Sequence, residues 1–161
     1  MTSQEDLFLK DVSYCFDASS LFNLRNFYPE DIFKSINTQF TDILRFGKIC
    51  IINMVLDELK RDSSSVFYDH IKVNIHKKRI FKYEDYISTT QELIKKYYDK
   101  RGKSHELMAD PHIIACAKVE RIAVVTDELG GSPVQIPNIC TNENIECISI
   151  VDFFRKESIK S

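Results

Sequence analysis

Glycine and proline are scarce in this chain of 161 residues, with four of each. This scarcity excludes collagen-like and linker-like chains. No apolar run approaches the roughly 20 residues that are needed to span a bilayer. The first ten residues, MTSQEDLFLK, are acidic and polar, unlike a secretory signal or a transit peptide. We therefore expect a cytoplasmic protein without a membrane partner.

Several chemical signatures are missing as well. The sequence contains no G-x-x-x-x-G-K or G-x-G-x-x-G phosphate-binding loop and no G-x-S-x-G nucleophile motif. The four histidines lack metal-ligand spacing, and we expect His112 at the surface. The five cysteines form no C-x-x-C pair, and most lie in apolar stretches such as KICII and IIACA. They are typical of small buried hydrophobic residues in a reducing compartment, rather than of disulfides or a zinc site.

A mass of 18.8 kDa, with 43% apolar and 29% charged residues, is typical of one globular domain, here 1–161.

Charge is distributed unevenly along the chain. Residues 60–103, the basic segment, contain 12 Lys and Arg against 6 Asp and Glu, a net charge of +6, and the remainder carries −8. The basic segment favours an anionic partner and the carboxylates favour a cation, although solvated helix faces would give the same pattern.

Short apolar runs alternate with helical patterns. The runs are nearly continuous, as in parallel strands that are buried on both faces, so the sequence predicts an α/β domain with helices on both sides of a parallel sheet. Helical spacing follows Pro29 as far as Gly47, and a helical insertion is expected over 60–105, between the second and third runs. We expect a loop over 129–137. The predicted strands are 12–16, 48–53, 122–126 and 146–150.

Acidic residues follow or precede these predicted strands. Asp17 comes directly after the first, and Asp57 and Glu58 come shortly after the second. Carboxyl ends of neighbouring parallel strands meet at one edge, so acids there converge. A cluster of carboxylates is costly without a cation, and oxygen ligands suit Mg²⁺ or Mn²⁺. The remaining candidates are Asp110, at the start of the helix before the third strand, and Asp127 and Glu128 after that strand.

Each acid also has a simpler interpretation. Asp110 before Pro111 is a good helix N-cap, and local sequence alone favours that role over a metal ligand. Asp57 and Glu58 could be exposed helix residues, and Asp127 with Glu128 could begin a solvent loop. Asp17 is hardest to explain in this way, because it ends a buried strand just before a predicted helix N-terminus.

Four motifs in order resemble those of PIN-domain proteins, the fold of VapC-type toxin ribonucleases. They are YCFDASSLF, VLDELK, ADPHIIACA and VVTDE, and together they cover nearly the full chain. ADPHIIA and VVTDE, followed by IPNIC and ECISI, resemble most closely an uncharacterised bacterial PIN-like family. The resemblance implies a three-layer sandwich with a parallel sheet of four or five strands.

The resemblance also implies an activity. We expect a Mg²⁺- or Mn²⁺-dependent endoribonuclease that hydrolyses RNA phosphodiester bonds, the toxin of a toxin–antitoxin pair. The implied partners are a cognate antitoxin and a second copy of this chain in a homodimer. The fourth acid of the family pattern falls on Glu128, where most PIN nucleases have Asp or Asn, so Asp127 stays an alternative. The implied catalytic metal ligands are Asp17, Glu58, Asp110 and Glu128, supported by Ser19 and Thr126.

Two questions remain open from the sequence. A catalytically inactive PIN-fold module that binds RNA or protein would carry the same motifs, and a phosphoryl-accepting receiver or phosphatase fits them poorly. The basic side chains near Tyr97 and Tyr98 could neutralise phosphates while the rings stack on bases, or they could form an ordinary amphipathic helix end. The candidate nucleic-acid contacts are Lys77, Lys78, Arg79, Lys95, Lys96 and Arg101.

Overall fold

A parallel sheet forms the centre of the domain. The computed structural model describes residues 6–62, 65–98 and 108–161. Within them, the strands pair in the order β3-β2-β1-β4-β5, every pair parallel. Their bounds are Tyr14–Phe16 for β1, Ile49–Ile52 for β2, Ile80–Phe81 for β3, Ala123–Val125 for β4 and Cys147–Ile148 for β5.

Eight α-helices are found in the described residues. The fifth continues as a π-helical segment, Ile94–Tyr98, and short 3₁₀ turns cover Asp6–Phe8, Lys77–Arg79 and Tyr83–Tyr86. The helices are α1 Ala18–Phe27, α2 Lys34–Phe46, α3 Asn53–Asp62, α4 Ser65–Asn74, α5 Ile87–Leu93, α6 Ala109–Glu120, α7 Ile136–Asn142 and α8 Ile150–Lys156.

The two faces of β1 pack against different helices, because successive strand residues point to opposite sides. Tyr14 and Phe16 face α2 and α8, where the rings of Phe16 and Phe153 meet edge to face at 4.9 Å and those of Phe16 and Phe40 at 5.8 Å. Cys15 points to the other face, against Cys116 of α6. The domain is therefore a three-layer α/β sandwich, as the sequence predicts.

The strand order reverses at β1. The chain moves outward from β1 to β2 and β3, and then returns to add β4 and β5 on the other side of β1. In open α/β sheets the crevice for ligands forms outside the carboxyl ends of the strands at such a reversal. Asp17, the residue that follows β1, lies at that position.

The basic segment differs in part from its expected form. It is mainly helical, as predicted, but it also contributes the edge strand β3, which pairs with β2 through Ile51 opposite Ile80. A strand of two residues is too short to show a periodicity in the sequence.

The helix predicted from Pro29 begins only at Lys34, since the Pro29 carbonyl instead accepts the N–H groups of Ile32 and Phe33 in a tight turn.

Two further expectations about single residues are resolved. Cys15, Cys50, Cys116 and Cys140 are buried free thiols and Cys147 is partly buried, as expected of small hydrophobic residues. The predicted surface position of His112 is wrong: its ring is fully buried, edge to face with Tyr83 at 5.0 Å. No helix among the described residues is long and apolar enough to cross a membrane.

Candidate active site

Asp17 is fixed at the centre of the site by both of its carboxylate oxygens. Its backbone N–H continues the sheet by donating to the Val125 carbonyl at 2.9 Å, and the residue is the N-cap of α1. Oδ1 accepts the N–H of Ala18 at 2.8 Å. Oδ2 accepts the hydroxyls of Ser19 at 2.7 Å and of Thr126 at 2.8 Å. The side chain is thereby held where β1 and β4 both end.

Ser19 and Thr126 lie together beside this carboxylate, where the resemblance places the supporting residues. Their hydroxyl oxygens are 3.1 Å apart. Ser19 Oγ also accepts the N–H of Asp127 at 3.1 Å, and Thr126 Oγ1 accepts the N–H of Glu128 at 3.1 Å. These bonds fix the course of the chain as it leaves β4, and with it the position of Glu128.

Glu58 and Asp110 face each other across a cavity of about 270 Å³ between α3 and α6. Asp110 lies in the first turn of α6, and the N-cap is Met108, which makes no side-chain capping bond. The interpretation of Asp110 as an N-cap is therefore wrong, and its carboxylate is directed to the cavity. The lining residues are Met54, Asp57, Glu58, Arg61, Met108, Ala109 and Asp110.

The four carboxylates influence one another electrostatically. Burial raises the pKa of Asp110 to about 7, with further contributions from the charges of Asp17, Glu128 and Glu58. Burial and the charge of Asp17 raise the pKa of Glu58, and Arg61 opposes that shift. Burial and Asp17 also raise the pKa of Glu128. The sequence-predicted acids therefore share one site at the carboxyl edge of the sheet.

Asp127 and Glu128 have different surroundings. Asp127 accepts the side-chain amide of Asn23 at 2.7 Å on one oxygen and the N–H of Ile150 at 2.9 Å on the other. One oxygen therefore binds a side chain in the middle of α1 and the other binds the N-terminus of α8. Glu128 accepts the N–H of Ile136 at 2.9 Å on Oε2 and acts on Asp110 through its charge. Of the two candidates for the fourth acid, Glu128 is the one directed to the site.

The carboxylates are nevertheless spread out. Among the described residues, the three thiols of Cys15, Cys50 and Cys116 are the one group of three potential ligand atoms that all lie within 4.8 Å of one another. No three carboxylates of the described part of the chain are that close. Burial is the larger cause of the raised pKa values of Glu58, Asp110 and Glu128, and repulsion among the carboxylates adds to it.

The candidate nucleic-acid contacts fall into two groups. Lys77, Lys78 and Arg79 precede β3 and so lie at the amino edge of the sheet, away from the acids. Arg79 is structural there, donating to the carbonyls of Gly47 at 2.7 Å and Lys10 at 2.8 Å. The structure does not bring this group to the site, because a strand separates the two edges.

The second group lies nearer to the acids. Lys95 and Lys96 are exposed in the π-helical segment that ends at Tyr98. The pKa of Tyr98 is raised by burial and by the charges of Asp110 and Glu128, so this segment ends beside the acids. Lys96 pairs with Glu143 at 3.2 Å. Arg101 lies outside the described residues.

A family model covers almost all of this architecture. It matches residues 14–161 and is described as "Domain of unknown function (DUF4411)". The chain belongs to this family. No curated protein matches the sequence. Among solved structures, the domain is similar to the "Crystal structure of PAE2754 from Pyrobaculum aerophilum", with a TM-score of 0.54, 11% identity and 99% of each chain covered. At that identity the similarity extends to the fold alone.

In this DUF4411 chain one charged residue of the site does not follow from the sequence motifs. Arg61 lines the cavity with Glu58 and Asp110 and is the one cation among its lining residues. The available signal was its position three residues after Glu58, which places both side chains on one face of α3. The signal was weak, because many basic residues follow in the same segment.

Proposed function

We propose that this chain is a metal-dependent endoribonuclease that hydrolyses RNA phosphodiester bonds, as its resemblance to PIN-domain toxins implies. One observation carries the proposal. Asp17, Glu58, Asp110 and Glu128 come from four separate parts of the chain to one sheet edge, where burial and like charge raise the pKa of three of them. Such an arrangement is unfavourable for the folded chain alone, and a bound cation would offset the cost.

The donor set suits a hard divalent cation. All four side chains offer carboxylate oxygen, the ligand type that Mg²⁺ and Mn²⁺ prefer. Asp17, Glu58, Asp110 and Glu128 would hold the ion. When bound, such an ion lowers the pKa of a coordinated water and screens the negative charge of a phosphodiester. Ser19 and Thr126 fix the rotation of the Asp17 carboxylate through their hydrogen bonds to Oδ2.

Two sets of cations would position the RNA. Arg61 lines the cavity beside the acids, where a guanidinium can bind a phosphate through two parallel hydrogen bonds. Lys95 is exposed in the segment that ends beside Asp110 and would contact the RNA backbone, whereas Lys96 is already paired with Glu143. This assignment predicts affinity that falls as salt rises.

The proposed biological role is that of a toxin held inactive by a cognate antitoxin. The resemblance supports this role, and it also supports assembly of the chain as a homodimer. Co-expression with the product of the neighbouring gene tests it. We expect a stable complex in which RNA cleavage is suppressed, and cleavage by the complex at the rate of the free chain would count against the role.

A second candidate is a catalytically inactive module that binds RNA or protein. It is favoured by the use of both Asp17 oxygens in hydrogen bonds and by the absence, among the described residues, of three carboxylates within 4.8 Å. In this account Asp17 is mainly a helix cap.

A cleavage assay separates the two candidates. End-labelled RNA is incubated with the purified chain and Mn²⁺, and with EDTA as the metal-free arm. We expect cleavage that requires Mn²⁺ and falls at least about tenfold in Asp110→Asn, a change of 1.4 kcal/mol or more. Asp42→Asn, on the exposed face of α2, is the matched control and should cleave as the wild type does. Metal-independent retention of RNA without cleavage would favour the binding module.

A further inference from the structure

Three cysteines from distant parts of the chain meet in the core. Cys15 of β1 and Cys50 of β2 are register partners on neighbouring parallel strands, so their side chains point to the same face of the sheet. Cys116 of α6 packs over both. All three are fully buried, and their sulfur atoms all lie within 4.8 Å of one another.

The separation of the sulfurs suits a cation between them. In a trigonal thiolate site with metal–sulfur bonds of about 2.3 Å, the sulfurs are about 4.0 Å apart. Three sulfurs that are already within 4.8 Å reach that spacing through side-chain shifts below an ångström. The strands and the helix that carry them need not move apart or rearrange.

A polar route leads from this cluster to the surface. Tyr86 is a hydrogen-bonding neighbour of Cys116, and its hydroxyl donates to Glu120 Oε1 at 2.8 Å. Glu120 is exposed and lies one helical turn after Cys116 on α6, so it is on the same face of the helix. Glu120 and Tyr86 thus link the cluster to the surface through hydrogen bonds.

We propose that Cys15, Cys50 and Cys116 form a three-coordinate binding site for a thiophilic monovalent cation, Cu(I). Thiolates select Cu(I) over hard cations. Structural zinc sites take four ligands, and among the described residues no fourth cysteine or histidine joins this group. Each thiol that becomes a ligand loses its proton to solvent as the ion binds.

The site would connect the elements that carry the proposed acids. Cys15 is two residues before Asp17 on β1, and Cys50 is on the strand that leads directly to α3 and Glu58. Cys116 is on the helix that begins beside Asp110. A bound ion would cross-link β1, β2 and α6 at mid-height of the sheet. The inference does not depend on the proposed ribonuclease activity, since binding can be measured without RNA.

Competition for Cu(I) tests the proposal. The reduced full chain is titrated without oxygen against a chromogenic Cu(I) chelator, and native mass spectrometry counts the ions. We expect one Cu(I) per chain in the wild type. Cys116→Ala should bind Cu(I) more than about 100-fold more weakly. The loss of a residue that only hydrogen-bonds to a metal ligand already lowers metal affinity about 10–100-fold, and here a ligand itself is removed. Cys140→Ala, a buried cysteine outside the group, is the matched control and should bind as the wild type does.

A second measurement needs no variant and so remains decisive if Cys116→Ala fails to fold. X-ray absorption at the copper edge counts the ligands in the wild type, and we expect three sulfurs. Two sulfurs would assign the ion to another pair, such as Cys140 and Cys147, which are hydrogen-bonded neighbours, and would overturn the proposal. A wild type that leaves Cu(I) with the chelator, or that prefers Zn²⁺, would overturn it as well.

Discussion

The hydroxyl of Thr126 donates a hydrogen bond of 2.8 Å to Oδ2 of Asp17, across 109 residues of sequence. This bond joins the carboxyl ends of β4 and β1, the two strands on either side of the reversal in strand order. Because Thr126 Oγ1 also accepts the N–H of Glu128, one hydroxyl sets the positions of two of the four proposed ligands.

Thr126→Val tests this relationship, since it keeps the shape and removes the hydroxyl. The buried Asp17 oxygen and the Glu128 N–H each lose a partner, so we expect the free energy of unfolding to fall by about 1–3 kcal/mol. RNA cleavage should fall by more than the loss of folded protein accounts for. Chemical denaturation and the cleavage assay measure the two effects. Thr141→Val, which removes an exposed hydroxyl bonded to the helix backbone, is the control, and equal losses in both variants would contradict the assigned role.

Stability should depend on pH through Asp110. Its pKa is about 7 in the folded chain, against an ordinary value of 3.8, so the folded state holds the proton more tightly than the unfolded state. The resulting stabilisation is complete below about pH 3.8 and is lost as the pH rises through 7. The free energy of unfolding changes by at most about 4 kcal/mol over this pH range, and partial solvent access reduces the change to about 2 kcal/mol.

Thermal melts in metal-free buffer measure this dependence. We expect Asp110→Asn to be more stable than the wild type at pH 8 and to lose most of the difference at pH 5. Mn²⁺ at pH 8 should raise the melting temperature of the wild type but not that of Asp110→Asn. Asp42→Asn should follow the wild type throughout. A wild type whose stability rises between pH 5 and pH 8 by more than that of Asp110→Asn would contradict the assignment.

Asp127 and Glu128 should respond oppositely to loss of charge. Asp127→Asn replaces an acceptor of the Asn23 amide or the Ile150 N–H with a donor, so stability should fall by about 1 kcal/mol with or without metal. Glu128→Gln should leave metal-free stability unchanged or higher, because one repelling charge is gone. Its stabilisation by Mn²⁺ should shrink. Melts of both variants with and without Mn²⁺ give the comparison, and an unchanged Mn²⁺ response in Glu128→Gln would remove that residue from the site.

The two groups of basic residues should also differ. Lys95→Gln should weaken RNA binding and reduce the slope of log affinity against log salt by about 1, with little loss of stability. Arg79→Gln should destabilise the fold, because the carbonyls of Gly47 and Lys10 lose their donor, and should leave the salt slope unchanged. Fluorescence anisotropy over a salt series measures both. A reduced slope in Arg79→Gln with an unchanged slope in Lys95→Gln would reverse the assignment.

The parts of the fold that follow from hydrophobic pattern could be predicted from the sequence. β1, β2, β4 and β5 lie within apolar runs that stand out over four or more residues, although each strand is shorter than its run. Their parallel pairing places Asp17 and Glu128 together, so convergence of the acids could be predicted too. α7 was missed because it begins at Ile136, at the end of a segment whose glycines and prolines indicate a turn.

Other features depend on contacts between distant residues, which a sequence does not show. Nothing in the order of Cys15, Cys50 and Cys116 indicates that register pairing and helix packing bring their sulfurs together. The structural role of Arg79 depends on two carbonyls in other segments. The different roles of Asp127 and Glu128 follow from which helix ends lie nearby, so neighbouring acids in the sequence could not be told apart.

Anomalous scattering from crystals grown with Mn²⁺ tests the central claim most directly. The account predicts a peak at the carboxyl edge of the sheet, roughly 2.0–2.3 Å from carboxylate oxygens of at least three of Asp17, Glu58, Asp110 and Glu128. The same peak should be absent from Asp17→Asn crystals. The absence of a peak at these residues in the wild type at saturating Mn²⁺ would contradict the proposed metal site, and with it the proposed mechanism.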